Sequence, residues 1–212
     1  LIRAEKAIEQ GDFADAVDEI GKLLAESATD DYFLLAPGQR ETRTSLKAEA
    51  ERLLSILPQR GRDLYELKFG AEARALLETS LQDASVTKLA EVVRRYFHTK
   101  AGVEAAILLG RLQLDRGQAL SAALTFRRVL TVPGSATYDP ELSLLLAVAW
   151  HQAQRPEDAQ AVLAKLTARG PVRINGNNEP VALNPTDDPA KWLNKLVGIA
   201  RPRGETTRES WC

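Results

Sequence analysis

Apolar residues in this chain recur mostly at three- and four-residue spacing, the period of a helix with one buried face. Ile2, Ala7 and Ile8 precede the break Gln10-Gly11-Asp12, and Phe13, Ala16, Val17, Ile20, Leu23 and Leu24 follow it. Two helices are therefore expected within residues 1–27. Ser45 is a cap for a helix carrying Leu46, Ala50, Leu53, Leu54 and Leu57, with Glu49 near its first turn and Pro58 as its stop. A long helix is expected after Gly61, from Leu64 to Leu81, with Gly70 marking a kink or a division. Val86, Leu89, Ala90, Val93, Tyr96 and Phe97 predict another over 86–97.

One pattern occurs twice, 37 residues apart. Leu109-Gly110 is followed by Ala122 and Phe126, and Leu146-Ala147 by Ala159 and Leu163. In each copy a small residue lies 12 positions before an alanine, which lies 4 before a large apolar residue. A breaker separates the halves: Gly117 in the first, Arg155-Pro156 in the second. This is the layout of a tetratricopeptide-like helix-turn-helix, whose period is about 34 residues. Small residues let paired helices approach, and the bulky residue one turn later fills the gap. The clearest repeats span 100–133 and 139–170, and Gly11-Asp12-Phe13 with Ala16 resembles a further turn and second helix. Asp139-Pro140 opens the second clear repeat, with Pro140 expected at the first helical position.

Two stretches depart from this period. Residues 28–44 carry Asp30-Asp31, Tyr32-Phe33-Leu34-Leu35 and Pro37-Gly38, and read as a loop insertion whose aromatics tuck against helices. Around Asn175-Gly176, the runs Val172-Arg173-Ile174 and Pro180-Val181-Ala182-Leu183 predict a small β-hairpin near 172–183. Asp187-Asp188-Pro189 then starts a capping helix with Trp192, Leu193, Leu196, Val197 and Ile199, giving a hairpin-and-cap segment over 172–200. The fold class expected is all-α: a right-handed α-solenoid of about nine or ten helices over 1–200. Residues 201–212 read as a polar linker to a following domain.

Composition narrows the function classes. The 28 basic and 29 acidic side chains give a net charge of −1, so no broad basic field draws nucleic acid or an anionic membrane. No apolar run approaches the roughly 20 residues of a membrane span. The single cysteine, Cys212, excludes an internal disulfide. The chain starts at Leu1 and lacks methionine, which reads as a mature or excised piece.

Candidate chemistry is sparse. His98 and His151 have no companions at metal-ligand spacing, so no metal site or cofactor is expected. Phosphate-loop, dinucleotide and nucleophile-elbow motifs are missing. Asp30-Asp31 and Asp187-Asp188 suit helix or turn capping, and the doublets Arg94-Arg95 and Arg127-Arg128 suit intrahelical pairs such as Glu91 with Arg95. The expectation is a non-enzyme. If a protein or peptide partner lies along the first helices of the clear repeats, Glu104, Arg111, Asp115, Glu141, His151 and Gln152 face it. The alternative for these six is a plain solvated face.

Longer motifs suggest kinship. Ser45-Leu46-Lys47-Ala48-Glu49-Ala50-Glu51-Arg52-Leu53-Leu54 with Leu57-Pro58, Tyr65-Glu66-Leu67, Phe69-Gly70-Ala71-Glu72-Ala73-Arg74, Arg95-Tyr96-Phe97-His98-Thr99-Lys100-Ala101-Gly102 and Leu114-Asp115-Arg116-Gly117 carry the likeness. Over most of residues 10–200 the chain resembles the tetratricopeptide-like N-terminal region of planctomycete envelope proteins. In those proteins a pyrroloquinoline-quinone-type β-propeller follows, similar to that of the outer-membrane assembly lipoprotein. The repeat period with no catalytic constellation points to an interaction or scaffolding module; the resemblance implies export to the periplasm or cell envelope and a propeller following this region in the full protein. It also allows an accessory role, in which this domain positions its own propeller in a quinone-type enzyme or an envelope assembly factor.

Overall fold

The computed structural model describes residues 1–25, 33–35, 43–170, 172–173, 180–181, 184–186 and 188–191. Their architecture is all-α. In chain order the helices are α1 (Ile2–Glu9), α2 (Phe13–Ala25), α3 (Leu46–Ile56), α4 (Gln59–Gln82), α5 (Val86–Tyr96), α6 (Lys100–Asp115), α7 (Ala119–Leu130), α8 (Glu141–Gln152) and α9 (Pro156–Ala168). A 3-10 turn, Ser135–Tyr138, lies between α7 and α8.

Four helix junctions share one backbone solution. Gly11, Ala84, Gly117 and Gln154 take left-handed φ values of 74, 49, 73 and 59°. The N–H of each donates to the carbonyl three residues back. The N–H of the next residue donates to the carbonyl five back: Asp12 to Ala7, Ser85 to Ser80, Gln118 to Gln113 and Arg155 to Trp150, at 2.8–2.9 Å. These bonds satisfy carbonyls that a helix end otherwise orphans. In every case the next helix starts two residues past the left-handed one.

The burial pattern follows from that shared turn. Five residues after it stand Ala16, Leu89, Ala122 and Ala159, and nine after it Ile20, Val93, Phe126 and Leu163, all buried. The α6–α7 approach is close enough that a methyl group on Gly110 would fall 2.5 Å from the Phe126 ring. Gly21 of α2 meets the Phe69 ring of α4 in the same way.

The chain divides into two compact units, 1–109 and 110–212, the division falling within α6. In the first, α2 packs against α1, α3, α4 and α5. Its core gathers Val17, Ile20, Leu24, Ala50, Leu53, Leu54, Leu57 and Tyr65. In the second, α8 packs against both α7 and α9. Every residue from Leu142 to Trp150 is buried, so α8 is apolar all round, as a central helix must be. Its buried Ser143 hydroxyl donates to the Asp139 carboxylate at 2.7 Å, leaving no orphan donor.

Several sequence expectations need correction. The α4 helix starts at Gln59, ahead of Gly61, and runs unbroken through Gly70. Beside Gly70 lies the Glu66 carboxylate, which accepts the Lys100 N–H at the start of α6 at 2.9 Å. Gly70 thus makes room for a capping side chain instead of bending the helix. Pro140 is the N-cap of α8, one position before the expected first helical residue; Asp139 accepts the Ser143 N–H at 3.2 Å.

In the 28–44 insertion, β1 (Phe33–Leu35) pairs antiparallel with β2 (Arg43–Ser45), where the sequence pattern predicts only a loop. Phe33 does not tuck away: it is 67% exposed. Asp30, Asp31, Tyr32 and Pro37-Gly38 lie outside the described residues. The Ser45 cap is present, its hydroxyl accepting the Ala48 N–H at 3.1 Å. Near the C-terminal end, β3 (Val172–Arg173) pairs with β4 (Pro180–Val181). The Asn175-Gly176 turn, most of the capping helix and the 201–212 linker fall outside the described residues.

Two substitutions check this architecture by thermal unfolding. Ala84→Gly relieves the left-handed cost at a non-glycine position, so stability should rise by up to about 1 kcal/mol. Ala122→Leu overpacks a fully buried contact and should cost about 1–3 kcal/mol. A destabilised Ala84→Gly, or an Ala122→Leu melt like wild type, contradicts the register.

Candidate functional site

Three of the six sequence-selected residues are engaged in ion pairs between helices. Arg74 of α4 grips Glu104 of α6 with both guanidinium NH2 groups, at 2.6 and 2.9 Å. Arg111 of α6 pairs with Glu141 of α8. Each pair spans 30 residues, and the two are offset by the 37-residue repeat. The same strut therefore joins one first helix to the next, once in each unit. These side chains are 42–47% exposed, so each strut contributes only about 0–1 kcal/mol.

The remaining three are free to meet a partner. Asp115, His151 and Gln152 are exposed, at the C-terminal ends of α6 and α8. His151 lines a pocket of about 250 Å³ with Gln160 and Leu163 of α9 and with Pro185, Thr186 and Asp188. The wall opposite the helices is held locally: Thr186 bonds the Asn184 side chain through its N–H and its hydroxyl. Its lining mixes apolar groups with a few donors and acceptors.

Beside His151 is a feature that the sequence pattern does not single out. The buried Trp150 ring has two guanidinium groups against it, the Cζ atoms of Arg127 from α7 and Arg155 from the α8–α9 turn, each 5.8 Å from the ring centroid. Arg155 is also paired with Asp158 at 2.7 Å. Arg127 makes no ion pair among the described residues. The trace of this cluster in the sequence is the 23-residue step from Arg127 to Trp150, and only the α7–α8 packing gives it meaning. Arg94 does pair with Glu91, at 2.6 Å, closer than the expected Glu91–Arg95 pair at 3.9 Å.

A polar cluster in the first unit is structural. Tyr96 donates its hydroxyl to Glu72, and Tyr65 donates to the Arg95 carbonyl at 3.3 Å. Burial pushes both phenols upward, and for Tyr96 the bond to Glu72 adds to it. Both stay protonated donors tying α4 to α5. Among the described residues no group of three His, Cys, Asp or Glu is placed to hold a metal ion. No described helix is long and apolar enough to cross a membrane.

The strut has a pH signature. The hydrogen bonds from Arg74 hold the Glu104 carboxyl below its ordinary value of 4.5. A carboxyl depressed by folding stabilises the fold above its unfolded pKa, and that contribution is lost as pH falls through the folded value. A carbon-detected NMR titration should therefore place Glu104 below 4.5 in the wild type and nearer 4.5 in Arg74→Gln. Identical midpoints would show that the pair does not persist in solution.

Comparison with protein-family models, with curated proteins and with solved structures finds no match to this chain.

Proposed function

We propose that this chain is a non-catalytic protein–protein interaction module, its helical hairpins stacked as an α-solenoid. The observation that carries this reading is the fourfold recurrence of one left-handed turn with one burial spacing behind it. Units built alike present alike faces, and stacked faces make extended surfaces that hold other chains. The Arg74–Glu104 and Arg111–Glu141 struts support the stacking, since each links neighbouring first helices at one repeat offset. Glu104, Arg111 and Glu141 are engaged in these pairs at 42–47% exposure. Asp115, His151 and Gln152 remain the contact candidates on the first-helix ends.

Peptide display tests the reading without a partner having to be named. Panning a random library against the immobilised chain should enrich peptides that bind it in solution, with saturable heats by calorimetry. Enrichment no greater than on a blank support, across independent libraries, would contradict an interaction role.

A further inference from the structure

The second helix of the first clear repeat has an exposed stripe that the packing leaves open. Leu120 and Leu124 stand one turn apart on α7 and are 54% and 45% exposed. Arg127 is exposed and follows on the same face, three residues on, with its guanidinium over Trp150. Its neighbour over that ring, Arg155, is already paired with Asp158 at 2.7 Å, so Arg127 carries the uncompensated charge. The α7 sequence, ALSAALTFRRVL, carries two cations and no anion. So the α7 face presents two leucines and then Arg127, which has no carboxylate among the described residues.

The geometry points to a docking site on α7 for an acidic amphipathic helix of a partner protein. The occupant has apolar residues one turn apart to cover Leu120 and Leu124, and a carboxylate one turn further to take Arg127. The spacing of the stripe is that of a helix read by another helix. The charge selects the partner: Arg127, resting over Trp150 with its Cζ 5.8 Å from the ring centroid, gains an ion pair from a carboxylate, and a basic helix meets repulsion. A second copy pairing its own α7 stripe with this one would show as concentration-dependent self-association of the chain alone, a result that overturns the acidic-helix assignment. This site rests on the interaction-module reading but is built on the second helix of its hairpin, whereas Asp115, His151 and Gln152 stand on first helices.

The probe is a fluorescein-labelled, 18-residue designed helix with leucines at four-residue spacing and glutamates beside them, followed by anisotropy against the whole chain. Its control has every glutamate replaced by lysine. The acidic probe should bind at least tenfold more tightly than the control, and should weaken as salt rises. Arg127→Glu, and separately Leu120→Ser with Leu124→Ser, should each weaken it at least tenfold while melting as the wild type does. No binding of the acidic probe, or equal binding to wild type and variants, overturns the site. If display-selected peptides then bind wild type and Arg127→Glu alike, the module reading stands and the α7 site falls; if no peptide is selected at all, both fall.

Discussion

The reversal of chain direction between helices is the constraint on which this structure depends. At four junctions a single left-handed residue redirects the backbone, and the two hydrogen bonds around it close the preceding helix end. The next helix then starts two residues later, which fixes the rotation of its apolar face. Burial of Ala16, Leu89, Ala122 and Ala159 at one offset is the consequence. The turn costs little where it is glycine. At Ala84 and Gln154 it costs about 1–2 kcal/mol, sustained by the packing on either side.

Register between hairpins comes from a different source. Between neighbouring first helices the contacts that differ by position are polar. The Arg74–Glu104 fork and the Arg111–Glu141 pair favour the observed register, each by about 0–1 kcal/mol. The central helix of the second unit carries the complementary burden. With Leu142 to Trp150 buried throughout, α8 has no polar face on which to slip, and its one buried hydroxyl is satisfied by Asp139.

Much of this is legible in the sequence, for identifiable reasons. Gly117 announces its turn because only glycine takes φ of 73° without cost, and Gly110 with Phe126 announces the close approach. The Ala84 turn does not read as a repeat, because leucines stand at 77 and 89 where the other hairpins have small residues, hiding identical geometry. Gly70 misleads because its role is to clear space for Glu66, a contact 34 residues distant from its other end at Lys100. Among the candidate site residues, the pattern selects Glu104, Arg111 and Glu141 as polar groups on a helix face, and that is where they are. It does not reveal that each has a partner, since a 30-residue ion pair has no local signature. The motifs that suggest kinship are likewise architectural: Tyr96 and Glu72 tie α4 to α5, Phe69 seats on Gly21, and Leu114 to Gly117 form a turn.

Native-state hydrogen exchange read amide by amide tests the central claim most directly. The amides of Asp12, Ser85, Gln118 and Arg155 each stand outside a helix yet donate to a carbonyl five residues back. The account predicts that all four exchange far more slowly than the unfolded chain, with Ser85, whose turn the sequence conceals, protected like the other three. Exchange of Ser85 at the unprotected rate beside a slow Gln118 would contradict a common turn, and with it the repeat on which the functional reading rests.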